Sequence, residues 1–286
     1  MRWWVITLLL CTYGVLKEFR PSEPFLYQYE HVTLNISAEI LESKVYPIWT
    51  YSYMAFLVPV FLLTDLLLYK PIIILEALSY ITVWMLFVLA RSVLVQQLIE
   101  VFYGWATATE IAYFAYIYVK VDKSHYKKVT SYTRAALQAG KCVAYVLAQI
   151  LIGTDAASYR ALNVISLVSL WIALVFSLIL PAVPWRLAYE KLMELQDQDE
   201  KKKAPIEIPT LQDELGKRVV DPSGPAHPEA TYKNYVKAHF SRWIKEIRQI
   251  YSELFVVKWS LWWAMASCAQ FQVKCKEKSY FQIIYC

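Results

Sequence analysis

The run ALNVISLVSLWIALVFSLILPAVP, from Ala161 to Pro184, holds 24 residues without one Asp, Glu, Lys or Arg. A helix needs roughly 20 apolar residues to cross a hydrocarbon core, so this stretch predicts a membrane span. Upstream, comparable apolar stretches lie at about 3 to 26, 46 to 69, 71 to 93, 96 to 120 and 132 to 153; downstream, one lies at 254 to 273. The pattern predicts an all-α membrane protein: an N-terminal six-helix transmembrane bundle over residues 1–185, a cytoplasmic linker over 186–252, a seventh transmembrane helix over 253–273, and an atypical tail at 274–286. Composition agrees, since the 286 residues are 58% hydrophobic and 19% charged, with a mean hydropathy of +0.34. Soluble domains carry about 25% charged residues, so an ordinary soluble enzyme is excluded.

The formal charge of +5 does not describe a nucleic-acid surface, because 13 of the 29 Lys and Arg residues fall between Arg186 and Lys258. Cysteines at 11, 142, 268, 275 and 286 form no CxxC pair, and His31, His125, His227 and His239 lie outside the apolar runs. Neither a disulfide framework nor a metal cluster is expected, and no cofactor. Arg2 followed by the apolar run Trp3 to Leu16 mimics a signal peptide. No small-x-small cleavage site follows it, and the run continues into Lys17, Glu18 and Arg20, which predicts a first membrane helix.

Cytoplasmic connections are rich in Lys and Arg. The segment holding Lys120, Lys123, Lys127, Lys128 and Arg134 and the loop after Arg186 both fit, which places the N-terminus in the cytoplasm. Phe25 to Lys44 then lies outside, where Asn35-Ile36-Ser37 forms a glycosylation sequon. Glu190 to Pro228 is dense in charge and proline and reads as a flexible linker. After it, Val236, Phe240, Trp243, Ile244, Ile247 and Tyr251 line one helical face, with Lys237, Arg242, Lys245 and Arg248 beside or opposite it. Either an interfacial helix on anionic lipid or a helix docked on the bundle has this pattern.

Ionisable residues at membrane depth are costly and face cavities or partners, so function is sought there. In span four, Gly104, Ala108 and Ala112 make a small stripe that admits another helix, and Tyr103, Glu110 and Tyr113 lie on the opposite face. Span five repeats the arrangement: Gly140, Ala144 and Ala148 are small, and Arg134, Gln138, Lys141, Tyr145 and Gln149 follow a polar face. Two helices thus point polar stripes at something hydrated, or Glu110 and Lys141 form an ion pair stitching them together. Tyr46, Trp49 and Tyr53 share a face of span two, as an interfacial aromatic belt or the wall of a cation cavity. Span one carries Lys17, Glu18, Arg20 and Glu23 around Pro21 and Pro24, too many charges for lipid; Glu23 is its strongest cavity candidate. Asp65 closes span two beside Tyr69 and Lys70, as a snorkelling charge or a gating partner.

Arg20-Pro-Ser-Glu-Pro-Phe25, Ile48-Trp-Thr-Tyr-Ser-Tyr53, Phe61-Leu-Leu-Thr-Asp65, Lys70-Pro-Ile-Ile-Ile-Leu75, Phe102-Tyr-Gly104, Tyr113-Phe-Ala-Tyr-Ile-Tyr118, Leu162-Asn-Val-Ile-Ser166 and Trp259-Ser-Leu-Trp-Trp-Ala264 appear in this order. With these motifs the chain resembles the reduced folate carrier and thiamine transporter family over residues 10–273. The resemblance implies a major facilitator fold, two six-helix halves with alternating access around a central vitamin site. The expected location is a membrane, crossed several times, with the plasma membrane favoured over an internal one. Thiamine carriers of that family resemble one another in having an acid at the position of Glu110, where folate carriers have an arginine. A carboxylate with aromatic faces suits a thiazolium cation, so the expected function is thiamine transport, with reduced folate as the alternative. By resemblance the thiamine cavity comprises Glu23, Tyr46, Trp49, Glu110 and Tyr113. The chain departs at Lys141, where thiamine carriers are similar in having tyrosine, and at Phe271, where they have asparagine; Lys141 would receive an anionic group. After Val273 the family continues through five more helices, whereas this chain reads Lys274-Cys-Lys-Glu-Lys-Ser-Tyr-Phe-Gln-Ile-Ile-Tyr-Cys286. The expectation is a curtailed chain. It would then act as a carrier completed by a homo- or hetero-oligomer with family members, or as a non-transporting isoform that regulates full-length relatives. The partners expected are the vitamin and the lipid membrane, with no nucleic acid.

Overall fold

The computed structural model describes residues 3–89, 91–121, 123–185, 193, 232–263 and 265–266. Apart from residue 193, the predicted linker from Glu190 to Pro228 lies outside the described residues, as do the end of the seventh span with Phe271, the 274–286 tail and the side chain of Asp65. The chain divides into two compact units, Met1–Ala188 and Tyr189–Cys286.

The first unit contains helices α1 (Trp3–Glu18), α2 (Tyr46–Leu66), α3 (Lys70–Leu89), α4 (Val93–Lys120), α5 (Tyr126–Gly153) and α6 (Tyr159–Ile179). No strand occurs among the described residues. The six expected apolar runs each produce one of these helices, and the main displacement is at the first. Its run was expected to reach about residue 26, but α1 ends at Glu18, because Pro21 and Pro24 disfavour helical backbone before them and withdraw two donors. Short helical turns from Glu23 to Val45 carry the chain to α2. Ser92 and Ser158 cap α4 and α6, each accepting from the backbone N–H three residues on, at 3.3 Å.

Among the described residues, four stretches are long and apolar enough to cross a membrane: Ala38–Thr64, Lys70–Leu89, Tyr126–Gly153 and Tyr159–Ile179. Helix α1 has only 16 residues, and α4 is made more polar by Gln96, Gln97, Glu100 and Glu110. Much of the outer surface is apolar. Val143, Val146 and Ile150 on α5 and Val168, Trp171, Ile172 and Val175 on α6 are all exposed, greasy faces that lipid would cover.

Helix α4 packs against α2 and α3, and α1 packs against α5 and α6. The small stripes set these approaches. A Cβ on Gly104 would lie 2.7 Å from the Ser52 Cβ and 2.8 Å from the Tyr53 nitrogen, and one on Gly140 would lie 2.6 Å from the Val15 carbonyl oxygen. Ala108, Ala112, Ala144 and Ala148 are fully buried beside them. Both stripes therefore work as the spacing predicts, by bringing backbones together.

In the second unit, α7 (Tyr232–Ile250) matches the expected amphipathic segment. Phe240 and Trp243 stack with ring centroids 6.1 Å apart, and Phe240, Ile244, Ile247 and Ile250 are exposed. A turn at 251–253 leads straight into a further helical stretch from 254, whose Leu254, Phe255, Trp259 and Trp262 are exposed as well.

Candidate functional site

The break after α1 builds the site. Ending the helix at Glu18 lets Lys17, Glu18 and Arg20 point inward, and all three are buried. Lys17 Nζ lies 2.9 Å from Glu76 on α3, 3.7 Å from Glu110 on α4 and 3.8 Å from Glu18. Glu76 is fully buried and also accepts a hydrogen bond of 3.0 Å from the Tyr13 hydroxyl. Glu18 is held by Arg20 at 2.9 Å and by Lys141 on α5 at 3.2 Å. Charges so buried are tolerable only when paired; Lys17, Glu18 and Arg20 each have more than one ionic partner, and Glu76 has Lys17 and the Tyr13 hydroxyl.

Arg20 reaches on to Glu23 at 3.4 Å, and its guanidinium lies over the rings of Tyr80, Trp84 and Tyr103, at 4.8, 5.2 and 5.9 Å from their centroids. Three aromatic faces compensate a desolvated cation that hydrogen bonds do not fully satisfy. Glu23 in turn accepts from the Tyr103 hydroxyl at 2.8 Å and the Tyr145 hydroxyl at 3.2 Å. Trp49 continues this aromatic wall, stacked on Tyr53 at 6.3 Å, tilted against Tyr103 at 6.4 Å, and donating from Nε1 to the Thr107 hydroxyl at 3.3 Å.

A cavity of about 270 Å³ opens beside the charge network, lined by Glu18, Glu110, Phe114, Arg134, Leu137, Gln138 and Lys141. Two of the six residues singled out for substrate, Glu110 and Lys141, line it directly. Glu110 and Lys141 take their cation and anion from Lys17 and Glu18, so the direct ion pair between them is not what joins α4 to α5. Glu23 and Trp49 belong to the adjoining aromatic wall. Tyr46 donates a 2.6 Å hydrogen bond to Glu30, in the turns leading to α2. Tyr113 is buried against α1: its hydroxyl donates to the Leu10 carbonyl at 2.9 Å, and its ring lies 5.2 Å beneath the Lys17 ammonium. Asn35 is exposed with φ of 57°, a left-handed conformation that asparagine tolerates better than most residues.

Sequence reasoning missed Glu76. Its signal was present, an acid inside the apolar run from Ile72 to Leu89, which the cost of burying a charge marks as functional or paired.

The Reduced folate carrier family profile matches residues 1–286. Folate-like transporter 3 of Caenorhabditis elegans is 51% identical over 270 residues, covering 94% of this chain and 59% of the relative. Folate transporter 1 of the same organism is 39% identical over 275 residues, covering 96% and 57%. Thiamine transporter 2 of Homo sapiens is 36% identical over 303 residues, covering 99% and 59%. The chain thus spans somewhat under three fifths of the length of these relatives.

Proposed function

The chain belongs to the reduced folate carrier family, a multi-pass membrane carrier family rather than one of enzymes, and on that premise we propose that it carries a cationic vitamin, thiamine, through alternating access. The observation that supports this most is the Glu110 carboxylate at the cavity. Glu18, Glu23, Glu76 and Glu110 face Lys17, Arg20 and Lys141 in ion pairs, and Arg134 on the cavity wall is a fourth cation, so selection rests on which carboxylate is open rather than on net charge. Glu110 is the most accessible of the four carboxylates, with 38% of its side chain exposed at the cavity. A thiazolium entering there would meet that carboxylate, and to stack on Phe114 it would use the ring face that Arg134 does not cover. The wall of Trp49, Tyr53 and Tyr103 around Glu23 supplies further rings.

Reduced folate is the second reading, favoured by Arg134 and Lys141 on the same cavity. Arg134 rests over Phe114 at 5.3 Å and would meet a folate carboxylate. Uptake of labelled thiamine and labelled reduced folate by surface-expressed protein decides between them. Glu110→Gln should cut thiamine uptake about tenfold or more and spare folate. Unchanged thiamine uptake, with folate uptake abolished by Lys141→Ala, would overturn the thiamine reading.

In this reading the first unit is one half of a major facilitator carrier, the second unit adds a seventh span, and a second half or an oligomeric partner completes the cavity. The N-terminus is cytoplasmic and the protein sits in the plasma membrane. Asn35 then faces outward and carries a glycan. A glycosidase-sensitive mobility shift that Asn35→Gln abolishes would support that orientation, and cytoplasmic protection of an engineered tag at Asn35 would refute it.

A further inference from the structure

We propose that Glu76 is a positioning residue for cation recognition: by holding the Lys17 ammonium on the α3 side, it keeps the Glu110 carboxylate available to the substrate. The inference rests on reading Glu110 as the cation contact.

The geometry carries it as follows. Lys17 is 1% exposed and shared among three carboxylates, and its shortest contact is Glu76 at 2.9 Å against 3.7 Å for Glu110. Attraction falls with distance and with solvent screening. Both factors favour Glu76, which is 0% exposed, over Glu110, which is 38% exposed. Tyr13 occupies the second Glu76 oxygen, so the carboxylate is fixed from both sides and Lys17 has a rigid anchor. Take that anchor away and two acids remain within reach. Glu18 is already held by Arg20 and Lys141, which leaves Glu110 as the carboxylate with unfilled hydrogen-bonding capacity. A lysine head on a four-carbon stem needs to move by only about 1 Å to close a direct pair there. Glu110 would then meet a cationic substrate already neutralised.

The consequence is a dependence on the sign of the ligand's charge that a purely structural role does not produce. Glu76→Gln removes one negative charge and releases Lys17, so a cation should bind about tenfold more weakly, within the usual range of site-to-site coupling. An anion should bind no worse. Glu76→Asp keeps the anchor and should behave as the parent. Lys17→Met with Glu76→Gln removes the pair together, leaves Glu110 open and should regain most of the cation affinity.

The experiment uses the full chain in lipid nanodiscs. Binding of labelled thiamine and of labelled reduced folate is measured beside carbodiimide labelling of Glu110 with glycine ethyl ester, read by mass spectrometry. The expected result is severalfold lower Glu110 labelling in Glu76→Gln, recovery in the double variant, and a loss confined to thiamine. Glu110 labelling unchanged by Glu76→Gln, or equal weakening of both ligands with no recovery in the double variant, would overturn the proposal. Should the parent chain bind no thiamine while Glu110 labelling still falls in Glu76→Gln, the positioning role stands and the thiamine reading fails.

Discussion

Lys141 on α5 places its ammonium 3.2 Å from Glu18 at the end of α1, and this contact, together with the Tyr145 hydroxyl on Glu23, joins the polar face of α5 to the buried charge network. Glu18 has a second cation in Arg20 at 2.9 Å, so Lys141 completes the neutralisation without being its sole source.

Lys141→Met should therefore be mild for stability and selective for ligands. The lysine is 38% exposed, and a half-solvated pair contributes at most about 1 kcal/mol. Removing it makes the cavity more negative, so thiamine should bind severalfold tighter and reduced folate severalfold weaker, with the difference shrinking as salt rises. Titrations of both ligands at two ionic strengths check this, and a fall in both affinities would contradict it.

Tyr145 reaches Glu23 at 3.2 Å from an exposed position on α5, whereas Tyr103 reaches it at 2.8 Å from within the fold. Tyr145→Phe should cost about threefold in affinity, or about 0.65 kcal/mol, the lower end for an ordinary hydrogen bond, because water can replace the lost donor. Tyr103→Phe removes the closer of the two hydrogen bonds and should cost more. Glu23→Gln loses the Arg20 contact too and should cost the most. Ligand affinities ranked in that order support the site; a Tyr145 effect larger than that of Glu23 would not.

The helices were legible because hydropathy and helical spacing are local. Gly104 with Ala108 and Ala112, and Gly140 with Ala144 and Ala148, announce close approaches that the structure realises against Ser52 and Val15. The charge partners were not legible, because they join residues far apart in the chain. Lys17 and Glu76 are separated by 59 positions, and no periodicity within one helix relates them. Facing stripes suggested Glu110 opposite Lys141, but the break after Glu18 inserts α1 carboxylate and ammonium groups between them. Tyr113 was placed by its spacing on the polar face of α4, where it does sit beside Lys17, yet its hydroxyl finds the Leu10 carbonyl rather than open space.

Glycine substitutions separate packing from chain entropy. Gly140→Ala forces a Cβ to within 2.6 Å of the Val15 carbonyl oxygen, where backbone and not a flexible side chain must yield. Overpacking of this kind costs about 1–3 kcal/mol. Gly153 closes the same helix with nothing within 4 Å of a Cβ, so Gly153→Ala should be neutral or stabilising by up to about 1 kcal/mol. Thermal unfolding of the two variants should move in opposite directions or differ plainly in size, and equal shifts would show that α1 and α5 are not in backbone contact.

Helix α7 should lie on the membrane surface rather than on protein. Its exposed Phe240, Ile244, Ile247 and Ile250 share a face, with Lys237 and Arg248 along one margin. Each such cation near an anionic leaflet contributes about 1 kcal/mol. Position supports this as well as pattern. Only residues 251–253 separate α7 from the helical stretch beginning at 254, and three residues span at most about 10 Å, so the end of α7 stays close to the exposed apolar residues Leu254 and Phe255. Spin labels at Ile244→Cys and Lys245→Cys in nanodiscs distinguish the environments. Lipid contact makes the 244 label accessible to oxygen and shielded from a water-soluble nickel chelate, increasingly so as anionic lipid is added, with the 245 label reversed. Shielding of the 244 label from both reagents would instead mean that protein covers this face, and free access of the nickel chelate would mean that nothing does.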